Sequence, residues 1–347
     1  MKKLFALLWI SIIILTIACC VVVYSGKNDS KSGYGRAEAI QSSPEAFYNI
    51  QQKPTLPIVT PTQRATKTVG ADDRLGTDFV APSGKGTMVS ETEVVQDEEE
   101  KSSVDCVFPD EIYPYRAMLT QEQQSVYDRI YMSAMSCINK CTVREMISED
   151  GLKDVMMAIY NDHPELFWLD TEYSYKHTTS GRIVEVGLGF NDTVNDFNNA
   201  LNRFNSAAGE IIEGASGLAD DEEKEKYVYE AIMDRVEYVA SSPMNQSAYS
   251  ALVNNESVCA GYSRAFQYIM QKLEIPCYFC SGYSNGGAHA WNIVKINGEY
   301  YNVDISWDDS LSNGDSGRSY RYYNVKDSKF SLSHTRRDLS VKLPKCE

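Results

Sequence analysis

The chain has 347 residues, of which 43% are hydrophobic, and a formal net charge of −15 at pH 7. This length leaves room for more than one domain. The acidic balance argues against nucleic-acid binding, which requires a basic face, whereas it suits basic protein or amine substrates or serves solubility alone.

The chain begins with an apolar run, Leu4 to Tyr24, that follows Lys2 and Lys3. At about 1.5 Å per residue, a helix over this run spans ~30 Å, which is enough for one bilayer crossing. The positive-inside rule then places the rest of the chain outside the cytoplasm. We expect residues 1–24 to be an uncleaved signal anchor facing the extracellular side. Lipid attachment at Cys19 is the alternative, and both tether the protein to a membrane.

Residues 25–105 are rich in Ser, Thr, Pro, Gly and charges, and they end in the acidic run Asp97 to Glu100. Such a composition buries too little apolar surface to offset the entropy of ordering. We predict a disordered stalk with a typical end-to-end distance of about 50 Å. It would hold the folded part away from the lipid surface, as suits a protein within a cell wall.

The next part, residues 106–219, carries helical and strand-like patterns and is predicted to form an amino-terminal extension. Its helices are expected near 120–140, 147–161 and 194–212, and its strands, near 166–175 and 183–190, are joined around Ser180-Gly181 as a hairpin. Residues 220–347 form the predicted core. It begins with a helix near 220–239 and has strands near 277–283, 289–296 and 299–305. Helices packed on an antiparallel sheet define an α+β fold.

A helix is predicted to start at Cys259, because apolar residues recur at helical spacing from Tyr262 to Leu273. Ser257 is the expected N-cap. A thiol in the first helical turn feels the positive end of the helix dipole, which favours the thiolate. Gly261 would let this helix approach the sheet closely.

A hairpin is predicted around Asn297-Gly298, because a type I′ turn needs positive φ at both central residues. A two-residue loop fixes the register between His289–Ile296 and Glu299–Trp307. In that register Asp304 and His289 are diagonal neighbours on one face, about 7–8 Å apart, within reach of long side chains.

Several segments together resemble the transglutaminase-like cysteine-enzyme superfamily. They are Gln246–Leu252 with Val258–Tyr262, then His289–Asn292, then Asp304–Asp309. Asp162–Trp168 and the acidic helix start at Asp220 also resemble the extension of extracellular bacterial members. The sequence departs from the family pattern at Ala260, where Glu is common, and at Ser306, where Thr is commoner.

The resemblance implies a papain-like core in which Cys259, His289 and Asp304 form a catalytic triad for thiol acyl transfer. It also implies that neither a metal nor an organic cofactor is required. Trp291 and Trp307 could wall the substrate cleft or belong to the core. Gln246 and Tyr249 could help to stabilise an oxyanion with the Cys259 backbone N–H, although Tyr249 could equally be a core residue.

The other cysteines and histidines carry weaker signals. With Cys259 free and two cysteines in the apolar run, six others could pair in 15 ways. Cys137 and Cys141 are expected on one helix face, and Cys277 and Cys280 in the core rather than in a redox or zinc pair. His163 is expected to pack locally in a loop, and His177 and His334 to be exposed.

Together these features predict a membrane-tethered, extracytoplasmic cysteine enzyme. It would act on protein or peptide amides, including those of the cell wall, by hydrolysis or by transamidation, with hydrolysis placed first. Its partners would be a protein or peptide substrate and the membrane, and not nucleic acid. The alternative is a non-catalytic surface module that binds wall peptides on the same fold.

Overall fold

The computed structural model describes residues 79–90, 107–312 and 317–347, and these residues all lie within one compact unit. The predicted anchor and most of the predicted stalk lie outside the described residues. Among the helices of the described part, none combines the length and apolarity that crossing a membrane requires.

One four-stranded sheet lies in the predicted extension. Its strands, in the order β1-β3-β4-β2, are Ser83–Met88 (β1), Lys140–Thr142 (β2), Leu169–His177 (β3) and Ile183–Phe190 (β4). Strands β3 and β4 are antiparallel, as predicted, and Gly181 takes a positive φ of 84° between them. Strand β1 was not predicted, because its residues fall in the stretch that composition marks as a disordered stalk. It pairs in parallel with β3.

The helices of the described residues largely follow the predicted pattern. They are Pro114–Ala117 (α1), Gln121–Met135 (α2), Glu149–Asp162 (α3), Phe197–Ser216 (α4), Asp221–Arg235 (α5), Cys259–Lys272 (α6), Ile305–Leu311 (α7) and Asp327–Phe330 (α8). Helix α2 starts with a capping box at Thr120, which satisfies two backbone donors.

Helix α2 ends earlier than predicted. It stops at Met135, and Cys137 beyond it has a positive φ of 52°. Cys141 then lies on β2. The prediction that Cys137 and Cys141 share a helix face is therefore wrong. The described cysteines, including Cys277 and Cys280 buried on one strand, are all free thiols.

A short parallel pair, Glu237–Tyr238 (β5) and Glu256–Ser257 (β6), precedes the second four-stranded sheet. That second sheet carries part of the candidate site. Its strands, in the order β10-β7-β8-β9, are Cys277–Ser284 (β7), Gly287–Ile296 (β8), Glu299–Val303 (β9) and His334–Arg336 (β10). Asn297 and Gly298 have positive φ angles of 52° and 84°, and Val294 pairs with Tyr301. The predicted hairpin register is confirmed.

The last strand of that hairpin is shorter than predicted. Strand β9 ends at Val303, and Asp304 becomes the N-cap of α7, where its carboxylate accepts a hydrogen bond from the Trp307 backbone N–H. A capping aspartate satisfies a helix donor that a strand would not present. Asp304 therefore leaves the sheet at the end of the strand rather than lying within it.

Helix α6 lies at the centre of the packing. Its side chains from Cys259 to Met270 are all buried, and it contacts strands β7 and β8 as well as helices α4 and α5. The hydrophobic core runs without interruption from the predicted extension into residues 220–347. Helices packed against antiparallel strands give the α+β class expected from the sequence.

Candidate active site

Cys259 occupies the first position of α6, as predicted. Val258 is the N-cap, because the Ser257 hydroxyl instead donates to the Asn245 carbonyl over 2.6 Å. Ser257 as N-cap was therefore a wrong prediction. The close approach at Gly261 is likewise not to the sheet: a Cβ there would lie 1.7 Å from the Ser257 Oγ.

The surroundings of the Cys259 side chain are apolar. The residue is fully buried in a small cluster with Ala260, Phe279 and Ala290. Phe79 packs against this cluster from the segment before β1. In the structure as it stands, a protein-sized substrate has no open path to the sulfur.

His289 lies on β8, opposite Gly282 of β7, and is fully buried. Its Nε2–H donates to Asp304 Oδ2 over 2.7 Å, an assignment that follows because an ionised carboxylate only accepts. Its Nδ1 has no hydrogen-bond partner among the described residues. Asp304 therefore holds Nε2 and leaves Nδ1 as the nitrogen that can exchange a proton with a substrate or a thiol.

Two neighbours raise the pKa of His289. Burial disfavours the charged imidazole, but the Asp304 carboxylate and, after it, the Cys259 sulfur outweigh burial and raise the pKa of His289. Cys259 packs with Ala290, the residue that follows His289 on β8.

Asp304 accepts four hydrogen bonds and is itself buried. Its Oδ1 accepts from the Ser306 hydroxyl at 2.8 Å and from the Trp307 N–H at 3.1 Å. Its Oδ2 accepts from His289 and, at 3.1 Å, from the Nε2–H of His334. Although burial opposes ionisation, the two histidines hold the pKa of Asp304 well below its usual range.

His334 is the residue of the site that sequence reasoning missed. We expected it to be exposed, but it is 3% exposed and sits on β10 opposite Ser284. Its ring stacks on Phe330 at a centroid distance of 3.9 Å. Burial lowers the pKa of His334, which favours a neutral ring. A three-residue strand between polar residues offers no periodic signal from which this burial could be predicted.

Trp291 and Trp307 enclose the two histidines. The Trp291 ring stacks near His289 at 6.2 Å, and its Nε1–H donates to Asn302 Oδ1. The Trp307 ring lies 5.9 Å from His289 and 4.7 Å from His334. Both indoles are buried, so they form the apolar walls around the imidazoles and belong to the core as well.

Gln246 and Tyr249 have different surroundings. The Gln246 side chain donates to Asn245 Oδ1 and accepts from the Val80 backbone N–H at 3.2 Å. Tyr249 is buried and packs on Phe167 at 4.8 Å. The core interpretation therefore describes Tyr249, and we assign it no role with the oxyanion.

A cavity of about 520 Å³ lies between residues of the extension and of the core, and Cys259, His289 and Asp304 are not among its lining residues. Gln246, Val80, Asp170 of β3 and Arg264 of α6 are among its lining residues. Arg264 is buried, donates to the Tyr160 carbonyl and lies over the Phe279 ring at 4.5 Å. Burial lowers the pKa of Arg264 to about 10, which leaves it a cation at neutral pH.

The ligand atoms of His289, Asp304 and His334 lie within 4.8 Å of one another, so a metal ion is geometrically conceivable. The same atoms are joined by hydrogen bonds of 2.7 and 3.1 Å. An ion would have to displace both bonds and both N–H protons. The donor set fits a hydrogen-bonded relay better than a metal centre.

A thiol at a helix start beside an imidazole and a carboxylate is the arrangement of the papain-like cysteine-enzyme folds. Residues 207–305, which include all three groups, match the family model of the transglutaminase-like superfamily. The match covers this region of the chain and is consistent with its helices packed on an antiparallel sheet. His334 and strand β1 lie outside the matched residues.

Solved structures that are similar to part of this chain include a TGase and the periplasmic domain of TgpA from Pseudomonas aeruginosa bound to ethylmercury. The first is 14% identical with a TM-score of 0.27, over 48% of this chain and 50% of the other. The second is 13% identical with a TM-score of 0.26, over 36% and 55%. This chain thus spans about half the length of each, and scores this low carry no argument about activity. No curated protein matches the chain.

Proposed function

We propose that this protein is a cysteine enzyme that performs thiol acyl transfer on protein or peptide amides. The observation that carries the proposal is the state of His289. Its Nε2–H is held by Asp304, Nδ1 has no hydrogen-bond partner among the described residues, and Cys259 packs with Ala290, the residue next to His289. That is the geometry a general base needs.

In the acylation step, His289 Nδ1 takes the thiol proton, and the Cys259 sulfur attacks the amide carbonyl carbon. As the tetrahedral intermediate collapses, the C–N bond breaks and the imidazolium returns the proton to the leaving amine. A thioester remains on Cys259. Asp304 keeps the ring oriented and stabilises its charged form.

The developing oxyanion needs a donor. Backbone N–H groups of a first helical turn lack intrahelical acceptors, and the Cys259 N–H is one of these. Such a preorganised donor supports the tetrahedral intermediate.

In deacylation, water or a primary amine attacks the thioester, and His289 takes its proton. We place hydrolysis ahead of transamidation, because water is the default acceptor at an exposed surface. We also propose that the apolar run Leu4–Tyr24 tethers the enzyme to the outer face of a membrane, where wall-associated proteins or peptides would be its substrates.

A non-catalytic peptide-binding module is the second candidate. The burial of Cys259 and the cavity lined by Gln246 and Arg264 favour it, since a cavity of this size suits ligand binding. With that function the triad residues would serve only to stabilise the fold.

The decisive experiment compares wild type with Cys259→Ala, using Cys137→Ala as the control at a half-buried thiol outside the site. Candidate surface proteins are offered together with a labelled primary amine, and mass spectrometry follows peptide cleavage and amine incorporation. We expect product with wild type and the control and none with Cys259→Ala. Equal product from Cys259→Ala would refute the thiol mechanism, and product from none of the three would favour the binding module.

A further inference from the structure

The segment from Phe79 to Met88 runs from the catalytic cysteine along the edge of the first sheet. We call it the strap. Its sequence is Phe-Val-Ala-Pro-Ser-Gly-Lys-Gly-Thr-Met. Its second half lies on the edge of β3, and its first half lies at the cavity and the cluster that contains Cys259.

The second half of the strap is strand β1. It adds in parallel to the edge of β3, with Ser83 opposite Glu172 and Met88 opposite His177. All six residues of β1 are exposed. The strand is therefore held by its backbone rather than by buried side chains, which is how an extended peptide binds a sheet edge.

Two glycines allow this pairing. A Cβ at Gly84 would lie 2.5 Å from the Tyr173 ring, and one at Gly86 would lie 2.7 Å from the Tyr175 ring. The intervening Lys85 instead points away, and its ion pair with Glu172 is largely exposed. The alternation fits one face of the strap to the two tyrosine rings and leaves the other in solvent.

The first half of the strap enters the site. Val80 lines the cavity, and its backbone N–H donates to the Gln246 side chain at 3.2 Å. Phe79 packs against the cluster that contains Cys259, with its ring 5.8 Å from that of Phe279. The strap thus follows one continuous path from the β3 edge through the cavity to the thiol.

We propose that the strap is an intramolecular occupant of the substrate groove. The groove would accept an extended polypeptide that adds as a strand to β3, offers small residues over Tyr173 and Tyr175, and places an apolar side chain beside Cys259. The strap and such a substrate would compete for the same surface. This inference rests on the proposed thiol function, because only an enzyme has a substrate that the strap could displace. The position of the strap in the groove does not depend on that function.

Competition of this kind explains why Cys259 is inaccessible in the structure. It also requires that the strap can leave. A strand with exposed side chains buries little apolar surface, so its release costs less than the opening of a core element. A reagent that reacts with Cys259 would then report the fraction of molecules in which the strap is displaced.

The test uses the full chain with the paired substitution Gly84→Val and Gly86→Val, which drives two side chains into the tyrosine rings. The matched control is Lys85→Val with Thr87→Val, which adds the same residue type on the solvent face of the same strand. A second variant, Phe79→Asp, weakens the strap at the thiol end. The rate of Cys259 alkylation by iodoacetamide is followed by peptide mass spectrometry.

We expect both strap variants to raise the alkylation rate by about tenfold or more, in proportion to the open population, while the control stays near wild type. A synthetic peptide of residues 79–88 should slow alkylation of the glycine variant again. If the alkylation rates of both strap variants stayed within about twofold of the wild-type rate, the open population would be unchanged and the proposal would be overturned.

Alkylation does not require turnover, so the two proposals fail separately. A rise in the alkylation rate without cleavage of, or amine incorporation into, any peptide would support the strap proposal and contradict the proposed enzymatic function. Turnover that depends on Cys259, together with an unchanged alkylation rate in the strap variants, would support the enzymatic function and contradict the strap proposal.

Discussion

Asp304 determines the geometry of the site at the scale of single residues. It caps α7 with one oxygen and holds both histidines with the other. Because a carboxylate can accept from all four donors, none of these buried hydrogens is left unpaired. The same residue therefore stabilises the fold and fixes the tautomer of His289.

We expect Asp304→Asn to reduce kcat/KM on the order of 10³–10⁴-fold, because an amide cannot stabilise the imidazolium or hold its tautomer. It should also lower the free energy of unfolding by about 1–3 kcal/mol, since an amide has one acceptor oxygen for four donors. Activity assays and urea unfolding measure the two effects.

Asp308→Asn is the matched control. Asp308 is equally buried and accepts from Tyr229, Ser319, Arg321 and Tyr322, but it does not bond His289. It should lose similar stability while its folded fraction keeps most activity. If Asp304→Asn retained activity within a few-fold of wild type, another residue would have to orient His289.

His334 is predicted to be a positioning residue that acts through Asp304. His334→Phe removes the Nε2–H donor and should lower activity, whereas His334→Gln retains an amide donor and should restore most of it. Initial rates with a cleavable peptide measure this difference. Equal activity of the two variants would contradict the positioning role.

Wild type and His334→Gln should also differ in how their unfolding free energy depends on pH. The pKa of His334 is lowered on folding, so below its unfolded value of about 6.5 the unfolded state binds more protons, and the native state loses stability. Asp304 remains ionised in both states above about pH 5. Between about pH 7.5 and 5, wild type should therefore lose more unfolding free energy than His334→Gln.

The residues that could be predicted from sequence are those next to a local signal. Cys259 follows from the helical pattern and His289 from the hairpin. His334 could not be found, since its burial depends on a three-residue strand that pairs with β7 across about fifty residues of chain. The sequence left Tyr249 between an oxyanion role and a core role, because a motif position gives no information on which way a side chain packs.

The element that positions the thiol is α6, and its placement depends on Gly261. The same Cβ that would meet Ser257 Oγ would also lie 2.9 Å from the backbone oxygens of Asn245 and Ser247. Backbone oxygens cannot move aside as a side chain can. The helix start is therefore held against the 245–257 segment by the absence of a side chain.

Gly261→Ala should destabilise the protein by about 1–3 kcal/mol through overpacking and should lower activity further, because Cys259 would shift relative to His289. Gly209→Ala is the control: it lies within α4 and has no atom within 4 Å of the added Cβ. There the better helix former should stabilise by about 0.5–1 kcal/mol. Thermal unfolding and cleavage rates compare the two variants, and equal stability would refute the steric argument.

The ends of strands and helices show which structural features can be predicted from sequence. The β8–β9 register was predictable because the turn Asn297-Gly298 determines it locally. The end of β9 was not, since the Asp304 side chain competes for the backbone and starts α7 instead. Helix α2 similarly stops at Met135, although the amphipathic pattern continues beyond it.

At the scale of the whole molecule, composition misjudged one segment. Residues 25–105 have the makeup of a stalk, yet Ser83–Met88 forms a strand on β3. Disorder arguments count the apolar surface that a segment can bury by itself. They do not include the backbone hydrogen bonds that an existing sheet edge offers to a glycine-containing strand.

The location of the protein provides the last prediction. The run Leu4–Tyr24 lies outside the described residues, so the membrane tether rests on its length, its apolarity and the lysines before it. We expect the full chain to remain with carbonate-washed membranes and a chain without residues 1–24 to be released with its strap and site intact. Ile13→Asp should weaken membrane insertion, because a charge at the helix centre costs about 2.5–3.5 kcal/mol.

Cys19→Ala separates the two modes of attachment: unchanged membrane retention supports the signal anchor, and loss of retention supports a lipid on Cys19. Release of the untruncated wild type into the soluble fraction without detergent would contradict both.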